Sequence, residues 1–363
     1  MRQIIAVALL VAIAPVAQAD DHLPFSVENV ASFNEPWAMA FLPGDELLVT
    51  EKSGQLLLVS LDDGSSKPIA GVPDVDYGGQ GGLGDIVLHP GFADNGVVYL
   101  SYAEAGDGDT RGAAVARAVL DRDALALEDL SVIWRQYPKV TGKGHYGHRL
   151  LFDDEGYLWV SSGERQKFDP SQDMKSSMGK ILRLNDDGTA AEGNPFYDQG
   201  GVTAEFWSIG HRNPLGIDFD SEGRLWNTEM GPRHGDELNL VVKGENYGYP
   251  LVSNGRHYSG MPIPDHDTRP DLEAPKVWWK PAISPSDLMF YDGDVFADWK
   301  GNGFISGLSG EALVRIEIDG DDAREAERFD MGKRIRGVEQ GPNGHIWLIE
   351  DREGGRLLKL SPR

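Results

Sequence analysis

Arg149-Leu150-Leu151-Phe152-Asp153-Asp154-Glu155-Gly156-Tyr157-Leu158-Trp159-Val160 reads as two short apolar strands joined by an acidic, glycine-containing turn. Brief apolar runs bounded by Gly, Asp or Asn are the pattern of a β-hairpin. The same unit recurs along the chain. Ala38–Phe41 leads through Gly44 to Leu47–Val49, and Asp85–Leu88 leads through Gly96 to Val97–Leu100. Leu215–Phe219 leads through Gly223 to Arg224–Trp226. Asp287–Phe290 leads through Gly303 to Phe304-Ile305, and Arg336–Glu339 through Gly344 to His345–Leu348. A third strand usually follows, as in Gln55–Val59 or Arg356–Leu360. Six copies spaced about 45 to 75 residues apart predict four-stranded blades closed into a ring. The expected fold is therefore all-β, a six-bladed β-propeller of antiparallel blades. Ring closure needs the chain ends to meet, so Pro24–Val30 is expected to add a strand to the last blade. Helical content should be low, since a stretch such as Arg324–Glu327 is too short to count.

Composition narrows the functional classes. The chain has 363 residues, 40% hydrophobic and 25% charged, an ordinary globular balance that excludes a wholly disordered chain and a multi-span membrane protein. Its 45 glycines follow no collagen period and fit many tight turns. A net charge of -24 would repel nucleic acid or an anionic membrane surface. With no cysteine there is no disulfide framework, thiolate metal site or cysteine nucleophile. At the N-terminus, Met1-Arg2, the apolar run Ile4–Ala14 and the small-x-small site Ala17-Gln18-Ala19 read as a secretory leader, residues 1–19. Residues 20–363 would then form one propeller domain, periplasmic or secreted, with no membrane span.

Three segments exceed what strands and turns need: Glu104–Gly112, Gln166–Ser177 and Gly255–Lys280. In a propeller such loops cover one face and carry function. The residues able to do chemistry lie near them. In Gly144-His145-Tyr146-Gly147-His148-Arg149-Leu150, His145 precedes an inner strand, and Glu164 ends its hairpin partner in Ser161-Ser162-Gly163-Glu164-Arg165. A hairpin can bring the two together, and a carboxylate beside an imidazole fixes its tautomer and raises its basicity. The same pair would also serve as a plain structural hydrogen bond. Arg212 and Asn213, at the head of the fourth repeat, offer donors for an oxyanion, or else form a surface turn. Arg334 and Arg336 alternate on one strand and so face one way, which suits an anionic ligand or an exposed charged edge. Tyr77-Gly78-Gly79 and Gln80-Gly81-Gly82 let backbone approach a ligand but lack the pattern of a phosphate loop. In Glu229-Met230-Gly231-Pro232-Arg233 adjacent carbonyls could ligate a hard cation, or form a plain turn. Trp278-Trp279 could wall a flat ligand or anchor a loop; the other tryptophans should pack. No HExxH, EF-hand, Gly-x-Ser-x-Gly or CxxC pattern occurs, which argues against a zincin and a serine hydrolase.

Taken in order, Gly79-Gln80-Gly81-Gly82-Leu83, His145-x-x-x-Arg149-Leu150, Gly163-Glu164, Gly210-His211-Arg212-Asn213-Pro214, Met230-Gly231-Pro232, Gly244-Glu245-Asn246-Tyr247-Gly248-Tyr249-Pro250 and Arg334-Ile335-Arg336 resemble the glucose/sorbosone dehydrogenase family. These are soluble aldose sugar dehydrogenases that use pyrroloquinoline quinone (PQQ), and the resemblance runs from about Pro36 to Leu360. It implies oxidation of aldoses at the anomeric carbon to lactones, with electrons passed to an external acceptor. It implies that His145 is the base, Glu164 its acidic partner, and Arg212 and Asn213 the residues at the reactive carbonyl. Gln80 would line the cofactor pocket and Arg334 and Arg336 would grip its carboxylates. Gly231 and Pro232 would hold a catalytic Ca²⁺ through their carbonyls, and Glu237 and Tyr247 a second, structural Ca²⁺. Glucose-specific members carry a fifth-blade Lys, whereas Ile305–Gly310 has none, so the resemblance is to the broad-range aldose branch. Two rivals stand beside this reading: a Ca²⁺-dependent propeller lactonase and an exported propeller that binds glycan or protein without catalysis.

Overall fold

Each hairpin read in the sequence forms the inner half of a four-stranded antiparallel sheet, and there are six such sheets. The computed structural model describes residues 22–363; the expected leader, residues 1–19, lies outside them. The six innermost strands are Pro36–Phe41, Leu83–Leu88, Gly147–Phe152, Pro214–Phe219, Pro285–Phe290 and Ile335–Gln340, which define blades one to six. Each packs against the next, and Pro36–Phe41 touches Ile335–Gln340 to close the ring. Phe25–Asn34 pairs antiparallel with Glu353–Pro362, so the first described strand completes the last blade, as ring closure required. Among the described residues the helical segments are one turn, Phe92–Asn95, and short 3-10 pieces. Arg324–Glu327 lies inside the outer strand Asp322–Asp330.

The blades are joined by polar bonds that recur from blade to blade. A hydroxyl on the second strand donates to the inner-strand carbonyl of the next blade: Thr50 to Gly84 (2.7 Å), Ser101 to His148 (2.6 Å), Ser161 to Pro214 (2.9 Å) and Ser306 to Arg336 (3.2 Å). In return, inner-strand carboxylates accept from the next blade's backbone: Asp85 from Leu150, Asp218 from Phe290 and Asp287 from Val338. These bonds satisfy buried groups between blades that the sheets' own ladders cannot reach. The turns of the repeat are fixed in the same manner. Asp153 and Asp220 cap backbone N–H groups of their own turns and also accept from the indoles of Trp159 and Trp226, each at 2.8 Å. Those tryptophans pack, as expected.

Every inner strand breaks register near its start. A bulge of this kind turns an extra side chain out of the ladder. The residues so displaced include Trp37, His148, Leu215 and Arg336, and all four point to one hollow on the ring axis. The bulges thus convert six repeats into a site at the end of the ring where the inner strands begin.

Candidate active site

The axial hollow has a volume of about 370 Å³, and Gln80, Tyr146, His148, Arg334 and Arg336 line it. A second hollow of about 340 Å³ is lined by His145, Glu164, Phe168, Arg212, Pro232 and Tyr249. The two adjoin through the chain, because Tyr146 and Gly147 face the first and His145 the second. Gln166–Ser177 and Gly255–Lys280 both contribute to the second hollow, through Phe168 and Tyr258. Glu104–Gly112 does not; it is a tight turn, residues 106–110, between two strand ends. Trp278 and Trp279 are likewise not a ligand wall. They sit on the outer strand Val277–Trp279, and the Trp279 indole donates to Glu325.

His145 and Glu164 meet: Nδ1 lies 2.5 Å from Glu164 Oε1, with both side chains buried. Glu164 Oε2 accepts from the backbone N–H groups of Lys167 and Phe168 at 2.5 and 2.8 Å. Burial alone would raise the Glu164 carboxyl, but the His145 and Phe168 bonds outweigh it and hold it below the usual range. The carboxylate is therefore ionised at neutral pH and accepts a hydrogen bond from Nδ1–H. Burial lowers the His145 pKa, and the Glu164 bond only partly offsets it. The result is a neutral imidazole with its Nε2 lone pair available to the second hollow, which is what a general base requires.

The backbone of His145 is as tightly held as its ring. Its φ is 50°, an uncommon value for a side-chain-bearing residue. Gln80 Oε1 accepts from its N–H at 2.7 Å, and Arg165 N–H donates to its carbonyl at 3.1 Å. The buried Arg165 guanidinium donates to the carbonyls of Gly142, Gly144 and Arg111 and stacks over the Tyr146 ring at 3.8 Å. Gly163 makes this approach possible, since a Cβ there would lie 2.3 Å from the His145 carbonyl oxygen. Gly163→Ala is thus expected to displace His145, lowering stability by about 1–3 kcal/mol, the usual cost of overpacking. It should lower turnover at least tenfold as well. Paired melting and steady-state assays check this, and a variant with normal turnover would count against it.

Arg212 and Asn213 lie where strand Pro214–Phe219 begins. The Arg212 guanidinium donates to the carbonyls of Met230 (2.7 Å) and Gly231 (2.6 Å), yet its Nε is buried without a partner. Asn213 Oδ1 accepts from Gly147 N–H, and its Nδ2 is likewise buried and unpaired. Two orphan donors side by side in sequence are costly unless an acceptor joins them. The Tyr146 hydroxyl, at the axial hollow, is a third unpaired group. Arg334 and Arg336 do face one way. Asp351 holds both, by Oδ2 to Arg334 Nε at 2.7 Å and Oδ1 to Arg336 at 2.8 Å, leaving net positive charge in the hollow.

A model of the Glucose / Sorbosone dehydrogenase family matches residues 33–359. The chain belongs to the glucose/sorbosone dehydrogenase family. It is 40% identical over 336 residues to the aldose sugar dehydrogenase YliI of Escherichia coli, covering 91% of each chain. Quinoprotein glucose dehydrogenase B of Acinetobacter calcoaceticus is 30% identical over 416 residues, covering 91% of this chain and 86% of that one. The PQQ-bound form of an aldose sugar dehydrogenase from Streptomyces coelicolor superposes with a TM-score of 0.79 at 30% identity, over 96% of this chain and 100% of that one.

For this glucose/sorbosone dehydrogenase the donor set fits a flat polycarboxylate with a reactive carbonyl: paired guanidiniums for the carboxylates, and unpaired donors on Arg212 and Asn213 for a carbonyl oxygen. The expected cation ligands fit less uniformly. Gly231's carbonyl already accepts from Arg212, while Pro232 faces the second hollow. Glu237 stands directly across the strands from Glu229, and both are buried. Burial, then the Glu229 charge, pushes the Glu237 carboxyl well up. Asn239 Nδ2 donates to Glu229 at 3.2 Å, and Glu229, Glu237 and Tyr247 line a void of about 10 Å³. Two buried carboxylates around room for one atom suit a hard cation. Tyr247 would contribute through its backbone carbonyl, because its hydroxyl is committed to Leu240 O (2.5 Å) and Val242 N–H (2.8 Å). Sequence reasoning missed Glu229, whose carboxylate accepts from Arg212 N–H at 2.6 Å and sits 3.0 Å from His211 Nδ1. It also missed Asp351, which follows the hairpin partner strand of the last blade as Glu164 does that of the third.

Proposed function

We propose that this protein is a PQQ-dependent aldose sugar dehydrogenase that oxidises the anomeric carbon of aldoses to lactones. The observation that carries the reading is the neutral His145 imidazole, held by the ionised Glu164, in a hollow adjoining one that presents paired arginines. The bound quinone supplies the hydride acceptor. The sugar loses a proton from its anomeric hydroxyl and a hydride from the same carbon, and the C–O bond becomes the lactone carbonyl. His145 Nε2 takes the proton, while Nδ1–H stays on Glu164, which stabilises the imidazolium formed. Arg212 Nε and Asn213 Nδ2, both unpaired within the protein, would donate to an oxygen that becomes negative, and low surrounding polarity strengthens such bonds. Arg334 and Arg336 bind carboxylates. Gly231 and Pro232 carbonyls would hold a catalytic Ca²⁺, a Lewis acid beside those donors, and Glu237 with Tyr247 a structural one. Electrons pass on to an external acceptor. The apolar run and cleavage pattern before residue 20 support export to the periplasm or beyond.

The lactonase rival would need open carboxylates in the channel. Four carboxyls line the far end of the axis: Asp85, Asp218 and Asp287 accept backbone N–H groups from the next blade, whereas Glu339 accepts none, and burial followed by the neighbouring aspartate charges pushes its carboxyl well up, away from the charged form a cation needs. Titration of the cation-stripped protein with PQQ and Ca²⁺, followed by absorption, tests the proposal. A saturable spectral change, bleached by an aldose and restored by a redox dye, is expected. No spectral change would favour the binding-only propeller; lactone hydrolysis without dye reduction would favour the lactonase.

A further inference from the structure

His148 belongs to the motif around His145, yet nothing above gives it a role. The bulge between Gly147 and Leu150 turns it out of the ladder and onto the wall of the axial hollow. Its ring is fixed on several sides. It stacks on Trp37 at 4.9 Å and 24°, meets Tyr146 edge-on at 6.0 Å, and covers Gly84, where a Cβ would stand 1.9 Å from Cε1.

The tautomer follows from proton counting around Ser101. Its Oγ lies 2.6 Å from the His148 carbonyl, 2.8 Å from Asp85 N and 2.8 Å from His148 Nδ1. A carbonyl only accepts, so the one hydroxyl proton lies on that bond. The Asp85 N–H donates to Oγ. The remaining contact then needs a proton from the ring, so Nδ1–H donates to Ser101 Oγ. Burial, and then the charges of Arg149, Arg165 and Arg336, lower the His148 pKa to about 3, so the ring carries no second proton at neutral pH. Nε2 is left as a bare lone pair with no partner in the protein. Of the charged groups that line the hollow, Arg334 and Arg336 are engaged with Asp351 and Lys52 with Glu35, and Arg352 lines it as well.

We propose that His148 is a cofactor contact whose Nε2 accepts a hydrogen bond from an N–H or O–H donor on the planar group in the axial hollow. This rests on the quinone reading above and adds to it a neutral acceptor, since the two carboxylates of the same lining are engaged, Asp351 with Arg334 and Arg336, and Glu35 with Lys52 and Tyr77. A polycarboxylate without a ring N–H or hydroxyl would leave that lone pair unpaired. PQQ carries a pyrrole N–H beside its carboxylates, which the pairing would recognise.

Nitrogen NMR of histidine-labelled wild-type protein gives a readout independent of turnover. In the cofactor-free protein His148 should show a pyrrole-type Nδ1 and a pyridine-type Nε2, unchanged between about pH 5 and 8. Adding PQQ with Ca²⁺ should shift the Nε2 resonance in the direction of an accepted hydrogen bond. His148→Phe keeps the stacked ring and loses the lone pair, and it should weaken PQQ binding about tenfold, the size of one buried hydrogen bond. A protonated Nε2 in the free protein, an Nε2 resonance unmoved by bound PQQ, or wild-type affinity in a folded His148→Phe would overturn the assignment. If that variant does not fold, the wild-type resonances decide. Failure of the wild type to bind PQQ at all would instead remove the quinone reading, and this contact with it.

Discussion

Exchange of His145 for glutamine is expected to lower kcat by about two to four decades, the span of a lost general base. The endpoint of a PQQ titration should stay near wild type, because His145 lines the second hollow while Arg334 and Arg336, proposed to grip the cofactor, line the first. Glutamine can keep a bond to Glu164 but cannot take a proton from a sugar hydroxyl. Equal turnover in the variant would remove His145 from the chemistry. The pH dependence follows with a definite sign. A protonated His145 cannot act as base, and burial places its pKa below the ordinary 6.5. Wild-type kcat/KM should therefore be flat through neutrality and fall only as pH drops through that lowered value. The Glu164 bond pulls the pKa upward, so Glu164→Gln should move the acid limb still lower and reduce the plateau, since a less basic imidazole is a poorer proton acceptor. A limb that moved to higher pH would contradict this arrangement.

Much of the site's geometry was legible in the sequence because hairpin repeats carry their own geometry, while the roles came from the family resemblance. The strand pairs read around Gly44, Gly96, Gly156, Gly223, Gly303 and Gly344 are the inner pairs of the six blades. His145 and Glu164 are local to one hairpin, so their meeting could be anticipated from spacing. Arg334 and Arg336 could be assigned to one side for the same reason. Two unread partners are as local as that pair: Asp351 lies 17 residues from Arg334 and Glu229 lies 17 from Arg212, each at the end of a hairpin partner strand as Glu164 is, so the same reasoning from spacing applies to them. The rest is geometric. Trp37 and His148 enter the hollow only because bulges break the period of two, and alternation alone assigns them to the wrong side. Trp278-Trp279 misled for the opposite reason: a short outer strand after a long irregular segment has no hairpin partner nearby in sequence to reveal it. Its partner, Asp236–Leu240, lies more than a whole loop upstream.

Removal of the Arg336 side chain should produce the largest loss of cofactor binding. Arg336 is less exposed than Arg334, with 12% against 27% of its side chain accessible, so its charge acts in the less polar surroundings. It also binds Asp351 through both Nε and a terminal nitrogen. In Arg336→Ala, Asp351 keeps only Arg334, and the carboxylate charge that Arg336 had balanced turns against an anionic ligand. Truncating one member of a buried, hydrogen-bonded charge pair costs about 2–5 kcal/mol, or roughly 30-fold to several thousand-fold in Kd. PQQ affinity, read by absorption titration at saturating Ca²⁺, should fall within that range. Arg336→Lys should fall between variant and wild type, because an ammonium keeps the charge but not the two-pronged fork. The contrast with His145→Gln is the discriminating result: there turnover collapses with binding intact, whereas here binding collapses and turnover recovers at high PQQ concentration. Were Arg336→Ala to bind PQQ as wild type does, the axial hollow would not be the seat of the carboxylates, and the proposed placement of the cofactor against Arg334 and Arg336 would fail with it.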